Sequence, residues 1–375
     1  MQATITCGLT FHATLMANEF TRRNILTRIF SSAPRSYFGA LDPNVKINFV
    51  PLPLYLIGRL SRLPLSQNTF NRDLLVYDYL ASLRVSQCDL VVGWAHMSLT
   101  TGKRAKELGA RFVLERACPH VDFQQQLMRE EAEKIGFGFR GDPRWFIERQ
   151  RQEYELADFI LVPSHYSAES FPNELRHKVL VAPIYGRLRT PPPLTQPRGL
   201  KRFTVGVVGG EPLRKGYLYL LQGWMKLGLP DAVLRIRTAY DFDEYPKLRE
   251  LSEQCGNVEF VDHVVDMNDF YQACDLFILP SVDDGFGMAL FEAMANGVPC
   301  IATTRCGAVE LLRDQRDLYV IKPFDADEIA AAIQSLYQDA NRRLQLGSTG
   351  RAAVEAMLDG ATPIHYRRAL DQLFH

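Results

Sequence analysis

The chain holds 375 residues, 47% of them apolar and 23% charged, and its 43 Lys/Arg balance its 43 Asp/Glu. That length exceeds one ordinary domain and suits two of about 150 to 200 residues, while the composition excludes disordered, fibrous and disulfide-scaffold classes. A formal net charge of zero does not by itself say which partners the chain takes, and no nucleic-acid partner is expected.

Strand-like runs alternate with helical ones almost throughout, which predicts an α/β protein with parallel sheets covered by helices on both faces. In the first half, Ala3–Cys7, 45–50, 89–93, Arg111–Glu115, Phe159–Val162 and 178–182 read as strands, enough for one Rossmann-like domain over 1–190. This half carries 24 Lys/Arg against 18 Asp/Glu, and residues 191–375 carry 19 against 25. An N-terminal surface of that sign could approach anionic lipid or a phosphorylated acceptor, although scattered solvated charges give the same count. Residues 49–63, apolar with Arg59 and Arg62, could touch lipid or be a strand end and a core helix start; Pro51 and Pro53 break any long amphipathic helix there.

Thr190-Pro-Pro-Pro-Leu-Thr-Gln-Pro197 can continue neither a helix nor a central strand, so the interdomain linker is placed over 191–200. A second βα series follows over 201–358, with strands at Phe203–Val208, 233–237, Val258–Val261, 276–280, Cys300–Thr303 and Tyr319–Ile321. Residues 359–375 read as a final helix after Thr362-Pro363, with Tyr366, Ala369, Leu370, Leu373 and Phe374 on one face, able to dock back on the N-terminal domain. Seven cysteines, none in a C-x-x-C pair, read as thiols of a reducing compartment. No run reaches the ~18 apolar residues of a membrane span and no signal peptide is apparent, so the expected location is the cytoplasm.

Chemistry concentrates in two strand-to-helix loops of the second half. In "VDDGFGMALFEAMANGVPCIATT", residues 282–304, a strand hands over through a glycine loop to a helix over 287–295. Free N–H groups and the positive helix end make such a loop an anion site. Glu292 lies about 7 to 8 Å along that helix at roughly 1.5 Å per residue, and Asp284 precedes it. Acids so far apart do not converge on one metal. They suit an extended ligand with hydroxyls at both ends and a diphosphate between, as in a nucleotide sugar. Taken alone, Asp284 equally fits a turn cap and Glu292 a solvated helix residue. The second loop, Gly209-Gly210-Glu-Pro-Leu-Arg214-Lys215-Gly216, offers two adjacent cations for a diphosphate. Glycines at 206, 209, 210 and 216 fit neither a G-x-G-x-x-G fingerprint nor a Walker loop, which argues against a NAD-dependent dehydrogenase.

The pair of loops resembles the retaining glycosyltransferases of family 4, whose GT-B fold sets two Rossmann-like domains face to face across an active-site cleft. "PSVDDGFGMALFEAMANGVPCIAT" is similar to the family's "PS…EGFG…EAMA.G.PVIA", with Asp284 and Glu292 at its two acids. The resemblance implies that Asp284 contacts the transferred sugar and Glu292 the ribose, that Arg214 and Lys215 hold the diphosphate, and that Gly285, Phe286, Gly287 and Met288 complete the donor loop. "FVLERACPHVDF" resembles a segment carrying "ERGS.H", and "ADFILVPSHYSAESF" resembles "AD.I.VPS.F….F"; by that match His120 faces the cleft near the reaction centre. Gly8 and His12 follow the first strand, where the family brings its acceptor. Ser164 reads as a helix cap only.

This sequence departs from the family at four places. Asp284 is one methylene shorter than the usual Glu, Gly210 stands where an Arg five positions before the Lys is common, Cys306-Gly307-Ala308 replaces a pair of glycines, and "YGRL" at 185–188 lacks the usual Asp. The implied function is transfer of a sugar from a nucleotide sugar to a hydroxyl of a glycan, a lipid-linked saccharide or a small molecule, with no cofactor and no metal. A nucleotide-sugar epimerase of the same fold and a non-catalytic nucleotide-sugar-binding subunit are the competing readings.

Overall fold

The computed structural model describes residues 1–8, 12–38, 41, 44–52, 67–185, 188, 191, 202–239, 242–261, 264–358 and 362–374. The first sheet has seven strands, β1 (Ala3–Cys7), β2 (Leu26–Ser31), β3 (Lys46–Phe49), β4 (Leu90–Trp94), β5 (Arg111–Glu115), β6 (Phe159–Val162) and β7 (Val179–Val181), in the order β3-β2-β1-β4-β5-β6-β7. All neighbours are parallel. The second has six, β8 (Phe203–Val208), β9 (Ala232–Arg237), β10 (Val258–Val261), β11 (Leu276–Leu279), β12 (Cys300–Thr303) and β13 (Tyr319–Ile321), in the order β10-β9-β8-β11-β12-β13. Strand order reverses at β1/β4 and at β8/β11, and each reversal opens a crevice at the strands' C-terminal ends.

Strand β2 is the one the sequence reading misses. Its polar residues, Thr27 and Arg28, break the apolar run; the Arg28 guanidinium reaches out of the sheet to Arg84 O at 3.3 Å and Ser86 Oγ at 3.0 Å. The remaining positions, Leu26, Ile29, Phe30 and Ser31, are buried in a strand between β1 and β3.

The two halves share packing. Helix Val121–Lys134 follows β5 of the first sheet, yet its Leu127, Met128 and Ala132 join the apolar cluster of the second sheet, beside Leu220, Leu221 and Trp224. Just beyond it Phe137 stacks on Tyr245, ring centroids 4.6 Å apart. The final helix, Ile364–Asp371, buries Tyr366, Ala369 and Leu370 and lies against the first domain: the Tyr366 hydroxyl donates to Glu115 at 2.6 Å, Arg23 pairs with Asp371 at 2.6 Å, and Phe374 meets Phe20 edge-on. A buried aromatic or aliphatic side chain of this kind contributes about 1.5 to 3 kcal/mol, so this face suffices to hold the short helix in place. Of the expected linker only Pro191 is among the described residues, as is only 49–52 of the apolar stretch 49–63. None of the seven cysteines is in a disulfide, and five of them are buried. No helix among the described residues is long and apolar enough to cross a membrane.

Candidate active site

The crevice between β8 and β11 is where both motif loops meet. Gly216 has φ +66°, and a Cβ there would stand 2.1 Å from Pro280 O, so only glycine lets the 209–216 loop pass the end of β11 this closely. The contact is fixed by Arg214 O, which accepts from the N–H of Val282 at 2.9 Å and of Asp283 at 3.3 Å. Two ion pairs cross it: Lys215 Nζ with Asp284, and Arg214 Nε with Asp283 at 3.1 Å. Burial pushes the Asp284 carboxyl up, but Lys215, Arg214 and the Phe286 N–H outweigh it and hold the group below its ordinary range.

Asp283, to which the sequence reading assigns no role, is fully buried and takes donors from both domains: Gln124 Nε2 at 2.7 Å, the Tyr166 hydroxyl at 3.0 Å and Arg214. The domains also touch at Gly285, whose carbonyl accepts from Ser164 Oγ at 2.7 Å and whose missing Cβ would stand 2.2 Å from Ala117 O. Ser164 therefore does more than cap helix His165–Glu169, where its hydroxyl accepts from Ser167 N at 3.1 Å. Glu310 completes the junction, receiving the N–H groups of His165 and Tyr166 at 2.7 and 2.6 Å.

Gly287, with φ +89°, precedes helix Met288–Ala295, and Met288 is its half-buried first residue. Phe286 is 2% exposed, stacks on Tyr185 and meets Phe291 at a tilt, so its side chain belongs to the core and the loop offers its backbone. Glu292 accepts from the Tyr271 hydroxyl at 2.6 Å; burial raises its pKa, partly offset by that hydrogen bond. Tyr271 is thus a second group, unseen in the sequence, that orients an expected site acid.

His120, expected to face the cleft, is a buried helix cap. It N-caps helix Val121–Lys134, its Nδ1 accepting from Asp122 N at 3.3 Å, and its ring lies between Tyr154 and Phe171 at 5% exposure. Capping turns the ring back onto the first helical turn. Burial is the main cause that lowers its pKa to about 4 from 6.5, with Arg116 adding to the effect and Asp122 opposing it. The unfolded chain therefore binds the extra proton first on acidification, and this group's stabilisation is lost as the pH falls from 6.5 towards 4. His120→Asn keeps a capping side chain without that titration. Wild type is expected to lose up to about 3 kcal/mol relative to the variant across this window, read from denaturant unfolding at several pH values. Parallel stability curves would disprove it.

Gly8 and His12 stand at the other reversal, β1/β4. Gly8 N–H points at Met97 Sδ at 3.1 Å, and His12 Nε2 lies 3.2 Å from Glu115, its ring 5.6 Å from Trp94. Residues 9–11 between them lie outside the described set. The structure thus gathers Arg214, Lys215, Asp284 and the 285–288 loop and sets Glu292 along helix Met288–Ala295, while His120 caps the helix from which Gln124 reaches Asp283 and the Gly8/His12 pair stands at the β1/β4 reversal. A groove of about 580 Å³ between β7, residues 307–311 and the final helix, lined in part by His165, Arg176, His365 and Arg368, includes none of these residues. Among the described residues no group of three His, Cys, Asp or Glu could hold a metal ion.

Residues 202–339, which contain both loops, match the family model of Glycosyl transferases group 1. Over the full chain the structure is similar to sucrose-phosphate synthase from Thermosynechococcus elongatus, with a TM-score of 0.72 at 17% identity, covering 100% of this chain and 98% of that one. The fold is GT-B. It is also similar to Anabaena HepE solved with UDP-glucose, TM-score 0.65 at 16% identity, covering 100% and 99%. The capsular polysaccharide biosynthesis glycosyltransferase CapM of Staphylococcus aureus is 30% identical over 162 residues, 41% of each chain. The mannosylfructose-phosphate synthase of Agrobacterium fabrum is 28% identical over 153 residues, 37% of this chain and 34% of its own. The matched stretch thus spans less than half the length of these curated relatives.

Proposed function

We propose that the protein is a retaining glycosyltransferase of family 4 that moves a sugar from a nucleotide diphosphate sugar to an acceptor hydroxyl without a metal. The observation that carries this reading is the Lys215–Asp284 pair, set with Arg214 beside the helix start at Gly287 in the β8/β11 crevice. Two cations and a helix N-terminus meet the diphosphate, whose negative charge grows as its bond to the anomeric carbon breaks. The same contacts suit the UDP-glucose that HepE binds.

In the proposed step the bond from the anomeric carbon to the diphosphate oxygen breaks while the acceptor oxygen attacks on the same face. The acceptor proton passes to the departing phosphate. Asp284 orients the sugar hydroxyls and Lys215 keeps it ionised; Glu292, fixed by Tyr271, takes the ribose. The acceptor, a glycan, lipid-linked saccharide or small molecule, approaches from the side of Gly8 and His12, with peripheral membrane contact open to the basic N-terminal domain. We place the reaction in the cytoplasm, in keeping with the free thiols.

A panel of nucleotide sugars incubated with the protein, without acceptor, tests this by mass spectrometry. Slow release of nucleoside diphosphate and free sugar from one donor is expected, and NMR of the product anomer in an acceptor reaction reads retention. Binding without turnover, even with lipid and glycan acceptors added, would overturn the reading.

A further inference from the structure

Three cations stand on the loops after β8 and β12, and they differ in what occupies them. Arg214 and Lys215 each have a carboxylate partner, whereas Arg305 forms no ion pair with a described carboxylate. Its polar side-chain contact is the Tyr166 hydroxyl at 3.5 Å, the outer limit of a hydrogen bond. Three rings surround the guanidinium instead: Phe123 and Tyr166 of the first domain at 5.6 and 5.3 Å, and Phe324 of the second at 5.7 Å. None of its nitrogens is both buried and unsatisfied, so its free N–H donors reach solvent.

We propose that Arg305 is a phosphate-binding residue at the junction of the two domains, separate from the Arg214 and Lys215 pair. An arginine fork matches two phosphate oxygens, and flanking rings lower its hydration without consuming its donors. The acids nearby are already engaged. Asp283 and Asp284 hold Arg214 and Lys215, and Glu310 receives two backbone N–H groups. Lys134 lies 4.9 Å from the same Phe324 ring and adds positive potential, though it also pairs with Glu131. Arg305 is tied to the candidate site by its backbone, since its carbonyl accepts from Asp284 N at 3.1 Å. The phosphate is therefore one carried by the donor or one carried by the acceptor. Only this choice of ligands rests on the transferase reading.

Calorimetric titration of wild type, Arg305→Ala and Arg305→Lys with UDP, GDP, uridine, inorganic phosphate and a hexose 6-phosphate tests it. Arg305→Ala is expected to weaken at least one phosphate ligand by roughly tenfold or more, with Arg305→Lys retaining part of the affinity. A loss confined to UDP or GDP assigns the donor diphosphate; a loss for hexose phosphate assigns an acceptor phosphate. Thermal unfolding checks that each variant is folded, and Arg305→Gln serves if the alanine form is not. Failure of every nucleotide to bind wild type would sink the donor reading alone, because the hexose phosphate arm still decides this one. Affinities within twofold of wild type in folded variants, or wild type that binds no phosphate ligand, would overturn it.

Discussion

Lys215→Ala is expected to weaken nucleoside diphosphate binding by roughly a hundredfold, the worth of a charge-assisted contact to phosphate. It should also lower folding stability by about 3 kcal/mol, because removal of one partner leaves the other charge buried and poorly compensated. Asp284 is 8% exposed, and burial, the largest influence on its carboxyl, pushes the pKa up. In wild type the depressed pKa contributes stability above the unfolded carboxyl value, and that stability is lost as pH falls. Without Lys215 the depression shrinks or reverses, so the variant should suffer most near neutral pH and least in acid. Adding Asp284→Asn removes the stranded charge and should restore much of the stability while leaving nucleotide affinity low. Denaturant unfolding at acidic and neutral pH, with calorimetry of UDP and GDP, reads both effects. Unchanged affinity in Lys215→Ala would refute its role, and unchanged stability would mean that Asp284 is better solvated than its surroundings indicate.

Most strands and both motif loops were legible because periodicity and glycine loops are local signals. Six of the first sheet's seven strands and all six of the second appear within a residue or so of the expected ranges. Strand β2 was hidden by Thr27 and Arg28, whose polar side chains interrupt its apolar pattern. The loops that carry Lys215 and Asp284 could be named from sequence, but their pairing could not, since it depends on Gly216 passing Pro280 O. Longer-range partners were less accessible still: Asp283 meets Gln124 and Tyr166 across 159 and 117 residues of chain. Asp283 left one trace, the first of the two acids of "VDDGFG", but an acid in a glycine loop reads as a turn residue. For His120 the local pattern shows neither the cap nor the packing against Tyr154 and Phe171, whose positions lie 34 or more residues away in the chain.

Asp283→Ala is expected to cost about 3 to 5 kcal/mol, the range for breaking a buried ion pair from one side. Three donors lose their acceptor together: the Arg214 guanidinium, the Gln124 amide and the Tyr166 hydroxyl. The last two belong to the first domain and Arg214 to the second, so the loss should loosen the junction as well as the loop. Small-angle scattering is expected to give a larger radius of gyration for the variant than for wild type. Tyr166→Phe removes one neutral donor and leaves the ion pair, so its cost should be only about 1 kcal/mol. Because Arg214 and Tyr166 share one carboxylate, combining Tyr166→Phe with Asp283→Ala should add almost nothing to the second change alone. Asp283→Asn fits the same space, but its amide turns donors towards donors, and it should fall between the two. Equal scattering curves and additive costs would show that the Asp283 carboxylate serves its own loop only, and that the contacts of Ser164, Gly285 and Glu310 hold the domains together.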